Sequence, residues 1–271
     1  MSSVGPRAAG VRVGSEISVR ALPGIPTVHP GDDIAELIGR AVDKAGWMLS
    51  DSDIVVVASK VVSRAEGCFV DLSTIHPSDD AIELAQQVDK DPRLVELIVR
   101  ESQGISRKTT GALIVRHRLG FVSANAGIDS SNSAPSDASP RSGPWVLTLP
   151  TDPDGAARQL RDALSERFGV QLAVMLTDSW GRPFRRGTVG FALGIAGLPP
   201  VWDRRGASDR HGRVLEATIS GLADSVAAAA DLVAGQADEG TPVTLLRGLS
   251  FDVSDEGARA MLRDADEDLY A

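Results

Sequence analysis

Cysteine is nearly absent from this sequence: Cys68 is the single one among 271 residues. One thiol excludes an intrachain disulfide framework and a cysteine-rich metal site. It also agrees with a cytoplasmic protein, because the cytosol keeps thiols reduced. No stretch approaches the ~20 consecutive apolar residues that a transmembrane helix needs. The N-terminus lacks the apolar block of a secretory signal, and residues 1–15 are predicted to form a flexible lead.

Positive charge is also scarce. The chain carries 28 Lys and Arg against 37 Asp and Glu, which gives a formal net charge of −9. A sequence-independent nucleic-acid binder would show a basic footprint, so we expect neither a nucleic acid nor a membrane as partner. If the ligand is a polyphosphate, an acidic protein must recruit it with metal cations or with local basic clusters.

Several familiar catalytic motifs are missing. The sequence contains no GxxxxGK[ST] phosphate loop, no GxGxxG fingerprint and no HExxH. A standard P-loop enzyme, a Rossmann dehydrogenase and a zincin protease are therefore not expected. The four histidines, His29, His76, His117 and His211, show no metal-ligand spacing, so surface or structural roles are favoured for them.

What the sequence does contain is a mixture of helix and strand patterns. Because a hairpin is predicted beside helix–strand alternation, we expect an α+β protein with mixed or antiparallel sheets and packed helices. The predicted strands are EISVRAL, DSDIVVVASK, GCFVDLS, the hairpin pair ALIVRH and LGFVSAN, WVLTLP, VQLAVMLTD and TPVTLLRG. The predicted helices are one capped by Asp32 or Asp33, a region over 79–102 interrupted near Pro92, DPDGAARQLRDALSERFG, LEATISGLADSVAAAADLVAGQ and SDEGARAMLRDADEDLYA. The Ser/Pro-rich stretch over about 133–144 is predicted to be a mobile surface loop.

Two segments end strand-like runs with an acid. In ANAGIDSSN, Asp129 follows a strand, and in LAVMLTDSWGRPFRRG the buried strand is predicted to end at Asp178. Acids at such junctions can present oxygen ligands to hard cations such as Mg²⁺, which complete their shell with phosphates and water. Taken alone, the first segment is also compatible with an Asx-rich turn that merely ends a strand.

Basic residues cluster in two places. Arg182, Arg185 and Arg186 follow Asp178 and match phosphate or carboxylate geometry, although a solvated basic loop explains them equally well. In VVVASKVVSRAEG, Ser59 and Lys60 end a buried strand, where the lysine can contact phosphate or lie on the surface. Acids at strand ends and separate basic loops together suggest one composite, metal-dependent nucleotide site.

Seven blocks in a fixed order resemble the coenzyme F420-0:gamma-glutamyl ligase family, from about residue 16 to about residue 266. NAGIDxSN and TDxxGRxFRRG are the most diagnostic. The matching blocks are LPGIP, VVVASKVVSRAEG, RLGFVSANAGIDSSN, LPTDPDGAARQLR, TDSWGRPFRRGTVGFALGIAG, DRHGRVLEATISGLADSVAAAADLVAG and PVTLLRG.

The resemblance implies a fold and a reaction. It implies that residues 16–271 form one ligase domain of two intertwined subdomains, usually assembled as a homodimer. GTP would phosphorylate the lactyl carboxylate of coenzyme F420-0, and the amino group of L-glutamate would attack the acyl phosphate. Two Mg²⁺ or Mn²⁺ ions per site, and K⁺ as a further cation, are the cofactors it implies. The chain ends without the flavin-reductase-like domain that some members carry, so the number of glutamates added stays open.

Site roles follow from the resemblance residue by residue. Asp129, Asp178 and Lys60 are expected to be catalytic. The residues expected to contact GTP are Leu22, Pro23, Gly24, Ile25, Ser59, Lys60, Arg64 and Asn132. The expected metal ligands are Asp129, Asp178, Ser179 and Gln236. Arg64 stands where the family often has lysine, and the stretch around Gln236 matches the family poorly.

Three alternatives remain open from the sequence. The chain could be a ligase for another amino acid or another carboxylate acceptor, a non-catalytic binder of nucleotide or coenzyme, or a metal-dependent phosphatase. Product mass separates the first from an F420-0 ligase. GTP binding without turnover would indicate the second, and phosphate release without glutamate the third.

Overall fold

The computed structural model describes residues 10–131, 133–136, 138, 142–264 and 267. The predicted α+β class is confirmed. The helices are α1 Ile34–Lys44, α2 Ser59–Ala65, α3 Asp79–Val88, α4 Pro92–Arg100, α5 Pro153–Phe168 and α6 Leu222–Ala234. The strands are β1 Arg12–Ala21, β2 Ile54–Ala58, β3 Phe69–Asp71, β4 Ser102–Thr109, β5 Ala112–His117, β6 Val122–Ala124, β7 Trp145–Leu147, β8 Ala173–Arg182, β9 Arg185–Ala196, β10 Trp202–Asp203, β11 Ile219–Ser220 and β12 Val243–Ser250.

A five-stranded sheet with the order β1-β12-β2-β8-β9 forms the larger part of the fold. Its neighbours are antiparallel except β2 and β8, which run parallel with Ala58 beside Thr177. Helices cover both faces of this sheet. Alternate residues of β2 therefore face different cores: Val55 and Val57 pack with α1 and α5, whereas Ile54 and Val56 pack with α6. The continuous apolar run of β2 reflects this two-sided burial.

Two glycines of β9 let helices approach the sheet closely. A Cβ at Gly190 would lie 2.3 Å from the Ala227 carbonyl oxygen of α6, and one at Gly194 would lie 2.3 Å from the Pro153 carbonyl oxygen of α5. Any larger residue would push these helices away from the sheet. The glycines therefore fix how α5 and α6 pack on the strand that pairs with β8.

A smaller part of the fold contains the three-stranded sheet β4-β5-β6, covered by α3 and α4. The short pair β3-β7 lies between the two parts in the chain. Trp180 of β8 connects the two sheets directly, because its indole Nε1 donates to the Val122 carbonyl oxygen of β6 at 3.1 Å. Phe121 and Phe191 pack on this indole, each with ring centroids 4.6 Å away. The connection places the start of β6 beside the carboxyl-terminal part of β8.

Most predicted elements are present, with informative differences. Asp33 caps α1 through a hydrogen bond from the Glu36 amide, and the interruption near Pro92 separates α3 from α4. β1 begins at Arg12 rather than at residue 16, and residues 1–9 lie outside the described part. The predicted closing helix is wrong over the described residues, where only the short 3₁₀ turn Ala258–Met261 forms.

Two further predictions of element length are corrected. The long alanine-rich helix begins only at Leu222, because Ile219–Ser220 pairs with Trp202–Asp203 as β11 with β10. β4 occupies residues whose apolar spacing gave no strand signal, and it pairs antiparallel with β5. Pairing with β10 overrides local helix preference at β11, whereas β4 forms by pairing with the next strand, β5, across a two-residue turn. Within the described ranges, no helix is long and apolar enough to cross a membrane.

A buried ion pair joins β12 to the start of β2. The Asp53 carboxylate is 1% exposed and accepts hydrogen bonds from Arg247 Nε at 2.7 Å and Nη2 at 2.6 Å. The Ser50 amide donates to the same carboxylate at 2.8 Å. Because these donors satisfy a carboxylate that water cannot reach, the pair helps fix the register at the sheet centre.

We therefore predict that Arg247→Met destabilises the protein by roughly 2 kcal/mol, measured by urea denaturation. This is below the ~3–5 kcal/mol typical of breaking a fully buried pair, because the Arg247 side chain is 45% exposed. Arg205→Met is the matched control, since Arg205 makes the same forked pair with Asp203 on the surface. Equal unfolding midpoints for the two variants would contradict the role of Asp53 burial.

Candidate active site

The parallel pairing of β2 and β8 creates the centre of the site. Parallel strands bring their carboxyl ends to the same edge of a sheet, and here α2 begins with Ser59 directly after β2. Ser59 Oγ donates to Asp178 Oδ2 at 3.0 Å, and the Ser179 amide donates to Asp178 Oδ1 at 2.7 Å. Both donors are neutral, so they hold the Asp178 carboxylate without compensating its charge.

Asp178 was predicted to end its strand, but it lies within β8. The strand continues to Arg182 and returns as β9, with Asp178 opposite Phe191. The prediction failed because the polar sequence after Asp178 forms an exposed hairpin rather than a loop. Burial raises the pKa of Asp178 to about 6, and the charge of Asp129 adds to the rise, against the hydrogen bonds from Ser179 and Ser59. The carboxylate is thus mostly ionised at neutral pH, at an electrostatic cost.

Asp129 reaches the same place from the smaller part of the fold. The backbone before it turns through three consecutive left-handed residues, Asn125 (φ 52°), Ala126 (φ 54°) and Gly127 (φ 64°). Non-glycine residues rarely adopt this conformation, and such strain is frequent at functional sites. The Asn125 side chain supports the turn by accepting from the Leu113 amide at 3.1 Å. Asn and Gly adopt this conformation more readily than other residues, which accounts for two of the three positions of the NAG segment that ends two residues before Asp129.

A backbone bridge and a lysine then fix Asp129. Its amide donates to the Leu147 carbonyl oxygen at 2.9 Å, and its carbonyl oxygen accepts from the Leu147 amide at 2.8 Å. Lys60 Nζ lies 2.7 Å from Asp129 Oδ2, while the Ser131 amide and hydroxyl donate to Oδ1 at 2.6 and 2.7 Å. Burial opposes ionisation, but the hydrogen bonds from Lys60 and Ser131 outweigh it, so the pKa of Asp129 lies below its usual range. The Asx-type turn is therefore present and carries the acid into the site.

Two spaces meet at these groups. The first, the large cleft, has a volume of about 590 Å³ and extends between the Ile25 turn and the loop around Gln236. The second, the small pocket, has a volume of about 250 Å³ and extends toward β6, β7 and Trp180. The residues that line both spaces are Ser59, Lys60, Asp129, Asp178 and Ser179. The structure therefore brings the two distant acids to one junction.

Other predicted site residues also border the large cleft. Ile25 lines it, and Gly24 adopts φ 86° in the same exposed turn, but the Leu22 side chain is buried in the core below α1. The Leu22 amide donates to the Val243 carbonyl oxygen at 2.8 Å, so Leu22 anchors the turn and does not line the cleft. Gln236 accepts from Ser179 Oγ at 2.6 Å, which joins the two residues predicted to form a second metal site.

Two predicted contacts take another form, and a third lies outside the described residues. Arg64 Nε donates to the Val28 carbonyl oxygen at 2.8 Å, and its guanidinium lies 5.2 Å from the Phe69 ring centroid. Arg182, Arg185 and Arg186 lie at the exposed end of the β8–β9 hairpin and line neither space. Of the two interpretations that the sequence left open, the structure therefore supports the solvent-exposed one. Asn132 lies outside the described residues. Beside it, Ser133 is buried and donates to the Asp129 carbonyl oxygen at 2.8 Å.

Two acids of the large cleft were missed. Asp231 of α6 lines the cleft and hydrogen-bonds the Gln236 side-chain amide, and Glu239 lines it further along the same loop. The segment ADLVAGQADEG contains the signal, since the acids flank a helix-ending glycine. This segment matches the family pattern poorly, so the sequence did not identify the two acids as site residues.

The oxygen donors at this junction determine which cation can bind there. Within the described ranges, no three or more His, Cys, Asp or Glu side chains converge as a metal site made of protein ligands alone. Two carboxylates, a serine hydroxyl and an amide oxygen at one junction fit Mg²⁺ or Mn²⁺ chemistry, in which water and substrate phosphates complete the shell. The residues present therefore fit such ions together with a polyphosphate.

Comparison with known proteins gives one consistent result. A family model described as F420-0:Gamma-glutamyl ligase matches residues 24–248. The chain is 46% identical over 256 residues to the coenzyme F420:L-glutamate ligase of Methanothermobacter thermautotrophicus, covering 94% of this chain and 98% of that protein. It is 45% identical over 247 residues to the protein of the same name from Methanopyrus kandleri, covering 90% and 93% of the two chains.

We predict that Asp129→Asn and Asp178→Asn each weaken Mn²⁺ binding at least about tenfold, because a neutral amide replaces a carboxylate ligand. Titration followed by electron paramagnetic resonance measures the free ion. Asp224→Asn is the matched control: burial raises its pKa, as it does that of Asp178, and it lines a different cavity of about 570 Å³. Unchanged Mn²⁺ affinity in both site variants would remove the metal role.

Proposed function

The chain belongs to the F420-0:gamma-glutamyl ligase family, and on that premise we propose that it uses GTP to add L-glutamate to coenzyme F420-0. The observation that supports this most directly is the convergence of Asp129, Asp178 and Lys60 between two adjoining spaces. A ligase of this kind needs room for a nucleotide and for an acceptor on either side of the transferred phosphoryl group.

The proposed reaction has two steps. An oxygen of the lactyl carboxylate attacks the γ-phosphorus of GTP, the bond to the bridging β,γ-oxygen breaks, and GDP leaves. The glutamate amino group then attacks the acyl carbon, phosphate leaves with the electron pair of the C–O bond, and the nitrogen loses a proton. Activation is required because phosphate is a far better leaving group than a carboxylate oxygen.

The chain's own residues have separate tasks in this scheme. Lys60 at the start of α2 presents a positive charge to the phosphates, as a flexible point charge. Ile25 and the turn before it border the cleft proposed for the nucleotide. Asp129 and Asp178, with Ser179 and Gln236, would hold two divalent cations, and K⁺ is a further candidate. When bound, these ions supply the positive charge that neutralises the transferring phosphoryl group.

The direct test incubates the protein with glutamate-free coenzyme, GTP, Mg²⁺ or Mn²⁺ and glutamate, and determines the product by mass spectrometry. We expect a product heavier by one glutamyl unit. Asp178→Asn should lower turnover by at least about 100-fold while leaving the circular dichroism spectrum unchanged. Asp203→Asn on the surface is the control.

Each other outcome indicates a different function. GTP binding without turnover would favour a non-catalytic relative, and phosphate release independent of glutamate would indicate a phosphatase. Turnover only with a different acid or amine, found by screening products by mass, would keep the ligase chemistry and change the substrate.

A homodimer is proposed as the assembled form. What supports it is the end of the β8–β9 hairpin, where Phe184 is 91% exposed beside three arginines. Light scattering should give twice the mass of the 28.4 kDa chain. Phe184→Ser should shift the protein toward the monomer, whereas Met48→Ser, at an apolar residue 84% exposed elsewhere, should not. A monomeric wild type would end this proposal.

A further inference from the structure

The small pocket adjoins the large cleft at the groups that would handle the phosphoryl group. Attacking and leaving oxygens lie roughly in line with phosphorus during phosphoryl transfer. If the nucleotide occupies the large cleft, its acceptor must approach from another space that meets Lys60, Asp129 and Asp178. The small pocket meets all three. Position alone therefore makes it the candidate acceptor subsite.

The volume of the pocket limits what can enter. Sites for drug-sized ligands measure about 300–1,000 Å³, and the small pocket has about 250 Å³. A tricyclic ring with its ribityl chain would not fit, whereas a short chain that ends in a carboxylate would. The ring system must then bind elsewhere on the protein.

The pocket wall provides neutral hydrogen-bonding groups among apolar ones. Ser63, Ser123 and Thr148 contribute to it together with Leu147, Leu149 and Trp180. Among these three hydroxyl-bearing residues, Ser123 has one distinguishing feature. It is 4% exposed, and its Oγ is one of the buried side-chain atoms, among the described residues, that have no hydrogen-bond partner. A buried hydroxyl without a partner is unfavourable, and a ligand oxygen would supply one.

The surroundings of Ser123 hold it in place. It lies in β6 opposite Val115 of β5, and the carbonyl oxygen of the preceding Val122 accepts from Trp180. Trp180 itself lines the pocket two residues after Asp178 in β8. The hydroxyl-bearing strand and the acid-bearing strand are therefore fixed to each other by one indole.

We propose that the small pocket binds the carboxylate end of the phosphoryl acceptor and that Ser123 donates a hydrogen bond to that carboxylate. This inference rests on the ligase function proposed above. A neutral hydroxyl suits the task, because an arginine would hold the carboxylate more tightly but would also stabilise its charge and weaken its attack on phosphorus. Ser123 thus orients one carboxylate oxygen while the other attacks the γ-phosphorus and GDP leaves.

The test compares Ser123→Ala with Thr244→Val in steady-state ligation, varying F420-0, glutamate and GTP separately. Thr244 is the matched control because its hydroxyl is also buried and without a partner, but it lies in β12 within the core of the larger sheet. Ser123→Ala should raise the KM for F420-0 about tenfold, as expected for one hydrogen bond to a charged group. The KM values for glutamate and GTP should stay within twofold of wild type, on the order of experimental scatter.

A second measurement is independent of turnover. Calorimetric titration of F420-0 into each variant should show the same loss of affinity for Ser123→Ala and none for Thr244→Val. If Ser123→Ala melts below wild type in thermal denaturation, Ser123→Cys takes its place, since a thiol is a weaker donor of similar size. The same direction of change is expected for it.

The outcomes distinguish a failure of this inference from a failure of the ligase function on which it rests. An active wild type with unchanged F420-0 affinity in the Ser123 variants overturns the subsite and leaves the ligase intact. A rise confined to the KM for glutamate assigns the pocket to the amine substrate and also overturns the inference. A wild type that makes no glutamylated product overturns both.

Discussion

The ion pair between Lys60 and Asp129 is the contact on which the rest of the site depends. Lys60 lies in the first turn of α2, next to the larger sheet, and Asp129 follows the strained turn after β6 of the smaller one. Two carboxylates at one junction repel each other. Burial is the main cause that raises the pKa of Asp178 to about 6, and the nearby charge of Asp129 adds to the rise. One ammonium group compensates only part of that charge. Negative charge therefore remains uncompensated at this junction, and the cations of a metal–nucleotide complex would neutralise it.

Strand pairing and one aromatic contact together bring the residues of the site into place. Parallel pairing of β2 with β8 places Ser59 beside Asp178, and the Trp180 indole ties β8 to β6. The same contacts separate a large cleft from a small pocket while letting both touch the acids. Activation of a carboxylate by a nucleotide needs such an arrangement, because the nucleotide and the carboxylate must approach one phosphorus atom from separate spaces.

Departures from the expected site have physical causes. Arg64 was expected at the nucleotide but bonds the Val28 carbonyl oxygen, because a guanidinium with several donors also satisfies nearby backbone. The arginines after Asp178 lie at the end of a hairpin, since β8 continues past the acid to pair with β9. In contrast, Gln236, the weakest match to the family pattern, lies in hydrogen-bonding contact with Ser179. Local sequence likeness is thus a poor guide to distance from the acids.

The sequence by itself determined the α+β class, most helices and strands, and the identity of the two acids, because these depend on local periodicity, caps and short motifs. It also indicated an Asx-rich turn in ANAGIDSSN, and such a turn forms where Ser131 donates to the Asp129 carboxylate. Only the tertiary structure decided that Ser123 lines the pocket beside Asp178, that β4 is a strand, and that Asp231 borders the cleft. The neighbours of Ser123 and Asp231 depend on contacts between segments far apart in the chain, and β4 forms by pairing with β5. Neither leaves a trace in the spacing of neighbouring residues.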